Sequence, residues 1–282
     1  MINKTQKEKA ELFHNLHHNG RMLVLPNIWD PLGALLMKSL NYPAIATASA
    51  SVAYTNGYND GEKIPFPELL TILKKITTSV DVPVTADIES GYAANNNQLF
   101  ENIKLLLDTG IAGINFEDTN MKTNNLQSIE DQCNKIRLIR KASDESGIPL
   151  FINARTDVFL YPNNYPTLDE QTEELLKRGF AYKEAGADGF FPVLLKEEEV
   201  IIKLITQLKM PVNIVTVPGI PDLKTLSNIG VARVSLGPSL LKIAIRSMKE
   251  LAIQLKDHKG LSLITENEIT SDYLKTLVGK SK

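Results

Sequence analysis

The residues of this chain best suited to chemistry are acidic and lie close together. Asp87 and Glu89 stand two apart in PVTADIESGY, and Glu117 follows in GINFED. Residues two apart on a strand point to one side, so both carboxylates of the first pair can face the same surface. Three crowded carboxylates without partners repel one another and resist ionisation. A hard divalent cation removes that conflict, and Mg²⁺ characteristically takes a few carboxylates while keeping several waters. The competing reading is that these acids form ion pairs with Arg155 or with nearby lysines. Arg155, in INARTDVFL, has the planar fork that grips a carboxylate or phosphate at two points, although a bridge to Glu117 or Asp157 would use the same fork. Gly237-Pro238-Ser239, where the last long helix opens, could cradle an anion. A plain strand-to-helix turn with Ser239 near the N-cap suits that segment better.

These side chains need elements to hold them. Short apolar runs predict strands at Met22–Pro26, Ala44–Ala48, Val84–Asp87, Gly113–Glu117, Leu150–Arg155, Gly189–Pro192, Val212–Val215 and Val234–Leu236. Each is too short for a helix and too uniformly apolar to wet one face, as expected of parallel strands covered on both sides. Helical periodicity lies between them, with Leu99, Ile103, Leu106 and Leu107 on one stripe and Ile129, Cys133, Ile136 and Ile139 on another. Turn residues such as Gly110, Gly147, Gly186 and Gly230 separate helix from strand. Strict alternation predicts an α/β fold, and eight strands favour closure into a (β/α)₈ TIM barrel. Residues 1–282 read as one barrel domain, with residues 1–19 as an extra N-terminal helix. Residues 257–282 read as a C-terminal helical extension: a polar loop, then a last helix around Glu266–Val278. In such barrels chemistry sits where strands end. Charge gathers after strands three, four and five, whereas strand six ends in Phe191-Pro192-Val193.

Composition narrows the classes. A net charge of −2 with dispersed Lys and Arg leaves no nucleic-acid footprint, and no apolar run is long enough to span a bilayer. The polar N-terminus lacks the apolar core of a signal peptide, and the single cysteine, Cys133, excludes an internal disulfide framework. Both point to the cytoplasm. Cys133 lies on a helix's apolar stripe and reads as core. His14, His17, His18 and His258 all fall outside the strands and the loops after them, which argues against a His-ligated zinc or a Ser-His-Asp triad at the mouth. No Schiff-base lysine ends strand six, and no dinucleotide fingerprint follows strand one.

Over almost its whole length the chain resembles the isocitrate lyase/phosphoenolpyruvate mutase superfamily. The likeness rests on LPNIWDPLGA, TASASVAYTNGYNDGEKIP, PVTADIESGY, GINFEDTNMKTNNL, INARTDVFL, AGADGFFPV and GVARVSLGPSLL. It implies that Asp87 and Glu89 are paired acids of a Mg²⁺ site, with Glu117 supporting the metal through water. It implies that Arg155 clamps the substrate's carboxylate, with Trp29, Ser49, Ala50, Asp87 and Asn124 as further substrate contacts. Asp60 matches an acid of the gating loop after strand two. Lys122 and Asn124 resemble the Lys-x-Asn of the mutase-type loop, one residue out of register, with Lys122 as a catalytic candidate beside Asp60 and Arg155. Isocitrate and methylisocitrate lyases carry a cysteine and a histidine in that loop; TNMKTNNLQS has neither, which argues against both activities. The implied enzyme is therefore a Mg²⁺-dependent lyase or phosphonomutase (isomerase). It would cleave or form a C–C or C–P bond in a small 2-oxo carboxylate or phosphonate through a pyruvate-type enolate. Oxaloacetate decarboxylase, phosphonopyruvate hydrolase and phosphonomutase are the expected types. A homo-oligomer, dimer or tetramer, with a C-terminal helix swapped between subunits is also implied. Two other readings stay open: a metal-free phosphate-binding barrel with its anion at Gly237–Ser239, and a barrel that binds a metabolite without catalysis.

Overall fold

The computed structural model describes residues 5–279. A capping box in which Thr5 and Glu8 satisfy each other's backbone N–H groups starts α1 (Gln6–His18). The first barrel strand then comes in two pieces, β1 (Leu23–Leu25) and β2 (Asn27–Ile28). Pro26 interrupts it because proline has no N–H for a ladder, though its carbonyl still accepts from the Ala46 N–H at 2.9 Å. Next come α2 (Pro31–Ser39), β3 (Ile45–Thr47), α3 (Ser49–Thr55), α4 (Phe66–Ser79), β4 (Val84–Asp87), α5 (Asn96–Asp108) and β5 (Gly113–Glu117). A two-stranded antiparallel hairpin, β6 (Thr119–Asn120) and β7 (Asn125–Leu126), precedes α6 (Ile129–Ser146). The remainder is β8 (Phe151–Thr156), α7 (Leu168–Glu184), β9 (Gly189–Pro192), α8 (Glu198–Leu208), β10 (Asn213–Val215), α9 (Leu223–Asn228) and β11 (Arg233–Ser235), followed by α10 (Ser239–Lys256), α11 (Leu261–Thr265) and α12 (Ser271–Gly279).

Parallel pairing runs around a ring. The order β2-β3-β4-β5-β8-β9 continues through a Phe190–Val212 bridge to β10, then β11, then β1. Since β1 and β2 are one strand, with β11 on one edge and β3 on the other, the ring closes as a (β/α)₈ barrel. The helix stripes pack against it: Leu99, Ile103, Leu106, Leu107, Cys133, Ile136 and Ile139 are all buried.

Helix α1 closes the N-terminal end of the strands. Its Phe13 ring meets Phe151 edge-on at 5.4 Å, and the His17 imidazole stacks on Phe151 at 4.1 Å. A Cβ at Gly113 would lie 2.8 Å from the Phe13 ring, so only glycine admits the helix there. The tail differs from expectation, because Gly260 (φ 81°) lets the chain turn into a second short helix, α11, ahead of α12. Residues 1–4 of the expected N-terminal helix and 280–282 of the extension lie outside the described residues. Among the described residues no helix is long and apolar enough to cross a membrane.

Candidate active site

At the opposite end, where the strands finish, a cavity of about 220 Å³ opens. On its polar side stand Ser49, Ala50, Asp60, Asp87, Asn115 and Arg155. Ser49 and Ala50 start α3, immediately after β3, and Asp60 is exposed at the rim. Asp87 is the last residue of β4; its backbone N–H donates to Thr47 Oγ1 at 3.2 Å, and its Oδ1 accepts the Glu89 N–H at 3.2 Å. Burial pushes the Asp87 carboxyl upward, against the pull of Arg155, and Asp60 adds repulsion.

Glu89 does not stand beside Asp87 as strand alternation predicts. The strand ends at Asp87, and Glu89 adopts a left-handed backbone (φ 51°) that turns its side chain into the protein. There Oε2 accepts the Glu62 N–H at 2.7 Å and Oε1 accepts the Tyr92 hydroxyl at 2.9 Å. Burial, then the charges of Asp60 and Asp87, raise its pKa to about 7.

Glu117 ends β5 in register with Arg155, and its Oε2 lies 2.7 Å from Arg155 Nη1. Arg155 also meets Asp157 side-on, Nε to Oδ1 at 2.7 Å and Nη2 to Oδ2 at 3.1 Å. The ion-pair reading therefore holds for Glu117 and Asp157. A guanidinium has five N–H donors, so this leaves donors for a ligand in the cavity that Arg155 lines. Burial still drives the Glu117 carboxyl well above the usual range; Arg155 opposes it, and the nearby acids Asp157, Asp87 and Glu89 add to the rise.

Two supports escape the sequence reading. Asp118, fully buried, accepts from Arg178 Nη1 (2.8 Å), the Tyr182 hydroxyl (2.7 Å), Thr156 Oγ1 (2.6 Å) and the Asp157 N–H (3.0 Å). That network fixes the chain carrying Arg155 and Asp157. The Arg178/Tyr182 spacing, one helical turn on α7, was the available signal. Below Asp87, Asn115 Oδ1 accepts from Asn153 Nδ2 (2.9 Å) and from Arg233 Nη2 (3.2 Å). Asn115 is the register partner of Asp87 and favours its charged form. Arg233 is fully buried on β11, and an arginine inside the apolar run VARVSL was its signal.

Three expected residues stand elsewhere. Trp29 faces away from this cavity, into an apolar groove of about 380 Å³ between α2, α10 and α12. Lys122 and Asn124 sit exposed at the tip of the β6–β7 hairpin, where the Asn120 carboxamide accepts the Lys122 N–H (2.9 Å) and Asn124 takes a left-handed conformation. The hairpin directs that loop along its own ladder and not into the cavity. Gly237, Pro238 and Ser239 line the same cavity as Asp87.

The donor set fits Mg²⁺ in a particular way. Among the described residues no three acids close on one point. Asp87 alone of the expected trio lines the cavity; Glu89 and Glu117 are engaged by Tyr92, Glu62 and Arg155. One direct carboxylate with neighbours acting through water suits an ion that keeps several waters.

The chain is similar to several known proteins. The sequence profile of phosphoenolpyruvate phosphomutase matches residues 13–256. A crystal structure of a provisionally assigned phosphonomutase from Burkholderia cenocepacia J2315 is 36% identical, with TM-score 0.83 over 88% of this chain and 100% of that one. The 2-methylisocitrate lyase of Bacillus subtilis is 26% identical over 220 residues, covering 75% of this chain and 69% of its own. A phosphonopyruvate hydrolase structure holding oxalate and Mg²⁺ is 19% identical, with TM-score 0.84 over 98% of this chain and 96% of that one.

Proposed function

The chain belongs to the phosphoenolpyruvate phosphomutase family, and from that premise we propose a Mg²⁺-dependent enzyme that cleaves or forms a C–C or C–P bond in a small 2-oxo carboxylate. The carrying observation is that Asp87, an acid without an ion pair among the described residues, and Arg155, a cation with spare donors, line one small cavity. Arg155 holds the substrate's carboxylate, while Glu117 and Asp157 keep its fork in plane. Asn115 fixes the Asp87 carboxylate, which would hold the metal, with Glu89 and Glu117 reaching it through water. The bound ion would supply Lewis-acid polarisation of the 2-oxo group and so favour a pyruvate-type enolate. Ser49 and Ala50 contact the other end of the substrate, and Asp60 closes over it together with the hairpin bearing Lys122 and Asn124.

Likeness to a 2-methylisocitrate lyase does not decide between lyase and mutase chemistry, and the loop is what supports the second. The β6–β7 segment has neither cysteine nor histidine, and Cys133 is buried on α6. This supports a decarboxylase, hydrolase or mutase over both isocitrate-type lyases. The lone cysteine also suits a reducing cytoplasm. Assays with oxaloacetate and phosphonopyruvate, with and without Mg²⁺, test the reading. Asp87→Asn and Arg155→Met should each lower kcat/KM by roughly 100-fold or more. Turnover unchanged in both variants overturns the assignment. Binding without turnover of either acid would leave a metabolite-binding barrel.

The same reading includes a homo-oligomer joined through the C-terminal helices, whose apolar side chains stand exposed.

A further inference from the structure

One acid near the barrel mouth has no part in the proposed chemistry. Glu62 lies in the loop between α3 and α4, two residues after Asp60, and with Gly61 it forms a left-handed pair (φ 93° for Gly61 and 56° for Glu62). In the turn after β4, Gly91 and Tyr92 form a second such pair (φ 99° and 54°). A glutamate and a tyrosine keep that backbone only where their surroundings hold it.

The hold is a closed ring of hydrogen bonds between the two segments. The Glu62 N–H donates to Glu89 Oε2 at 2.7 Å, Glu89 Oε1 accepts the Tyr92 hydroxyl at 2.9 Å, and the Tyr92 N–H donates back to Glu62 Oε1 at 2.8 Å. Ser90 Oγ donates to the same Glu62 oxygen at 2.7 Å. All these bonds end on a carboxyl oxygen, the stronger kind of acceptor when ionised. The turn is the fixed side, since buried Asn102 on α5 donates its Nδ2 to the Gly91 carbonyl (3.1 Å) and the Tyr92 carbonyl (2.8 Å). Asp60 lines the cavity, yet its own side chain has no hydrogen bond or ion pair among the described residues.

We propose that Glu62 is a positioning residue, the latch that docks the α3–α4 loop on the turn after β4 and so sets Asp60 against the cavity. This rests on the 2-oxo acid reading, in which Asp60 closes over the substrate, and adds to it a residue that acts without touching substrate.

Amide hydrogen exchange reads the latch without turnover. Glu62→Ala should speed exchange across residues 61–64 and at Tyr92 by about 10-fold or more. Glu62→Gln keeps an acceptor oxygen in place and should restore most of the protection. Ser90→Ala, which removes one donor from the opposite side, serves if Glu62→Ala does not fold. A double-mutant cycle then tests the link to Asp60. With whichever of oxaloacetate and phosphonopyruvate the Mg²⁺-loaded wild type turns over, Glu62→Ala should lower kcat/KM by roughly 30-fold. In an Asp60→Ala background the same change should cost less than about three-fold, because the group it positions is gone. Unchanged exchange in Glu62→Ala, or equal losses in the two backgrounds, overturns the latch and leaves the 2-oxo acid reading standing. A wild type that turns over neither acid overturns that reading, and with it the part of Glu62 in the reaction, whatever exchange shows.

Discussion

Glu89 shows how much a single residue's setting decides. Its carboxyl is 3% exposed and is held to about pH 7 by burial and by Asp60 and Asp87. Because its folded pKa lies above the unfolded one, the folded state binds the extra proton between about pH 4.5 and 7. Stability linked to Glu89 is therefore full at low pH and is lost as pH rises through 7, by about 3 kcal/mol. Metal-free protein should melt at a lower temperature at pH 8 than at pH 5.5, and Mg²⁺ should restore much of the difference by favouring the ionised form. Glu89→Gln should shrink both the pH step and the Mg²⁺ response. Calorimetry in chelator and in excess Mg²⁺ reads this, and an unchanged Mg²⁺ response in the variant would remove Glu89 from the metal's surroundings.

At the level of elements, α1 is a plug whose docking depends on an uncharged imidazole. His17 stacks on Phe151, its Nδ1 lies 2.8 Å from the Phe13 carbonyl, and burial, then the Arg233 charge, lowers its pKa to about 3. A base with a depressed folded pKa contributes stability that is present above its unfolded pKa and lost as pH falls. The loss begins near pH 6.5 and should reach about 3 kcal/mol by pH 4.5. His17→Phe keeps the ring contact and cannot take a proton, so urea midpoints should differ less between pH 7 and pH 4.5 than in the wild type. The same elements show what the sequence made legible. Parallel strands covered on both faces must be apolar throughout, so all eight stood out, and with them the strand-end positions of Asp87, Glu117 and Arg155. Alternation misplaced Glu89 because the rule holds only while the strand continues, and β4 stops at Asp87. The β6–β7 hairpin was invisible because its strands are two residues each and polar. Trp29 carried no directional signal, since β2 ends at Ile28.

At the scale of the whole molecule, the C-terminal helices leave many apolar side chains exposed. Helices α6 and α10 have 18 residues each, yet α6 buries Gln132, Cys133, Ile136, Ile139, Ala142 and Ser143, and α10 buries only Leu241. Ile243, Ile245, Met248 and Ile253 on α10 stand more than half exposed, as do Leu261 and Leu263 on α11. So many exposed apolar side chains on two successive helices exceed the scattered exposure normal for a monomer and point to an interaction surface. Ile243 also lines the groove holding Trp29, so a helix from a second copy covering these side chains would lie along that groove. Light scattering after size exclusion should therefore find a dimer or larger. Burying a methionine or isoleucine contributes about 2 kcal/mol, so Met248→Glu should weaken association by roughly 30-fold, and Ile243→Glu with Met248→Glu should yield monomers. A monomeric wild type at micromolar concentration would refute the interface. If the double variant also loses turnover while keeping its fold, the second copy contributes to the site as well as to the surface.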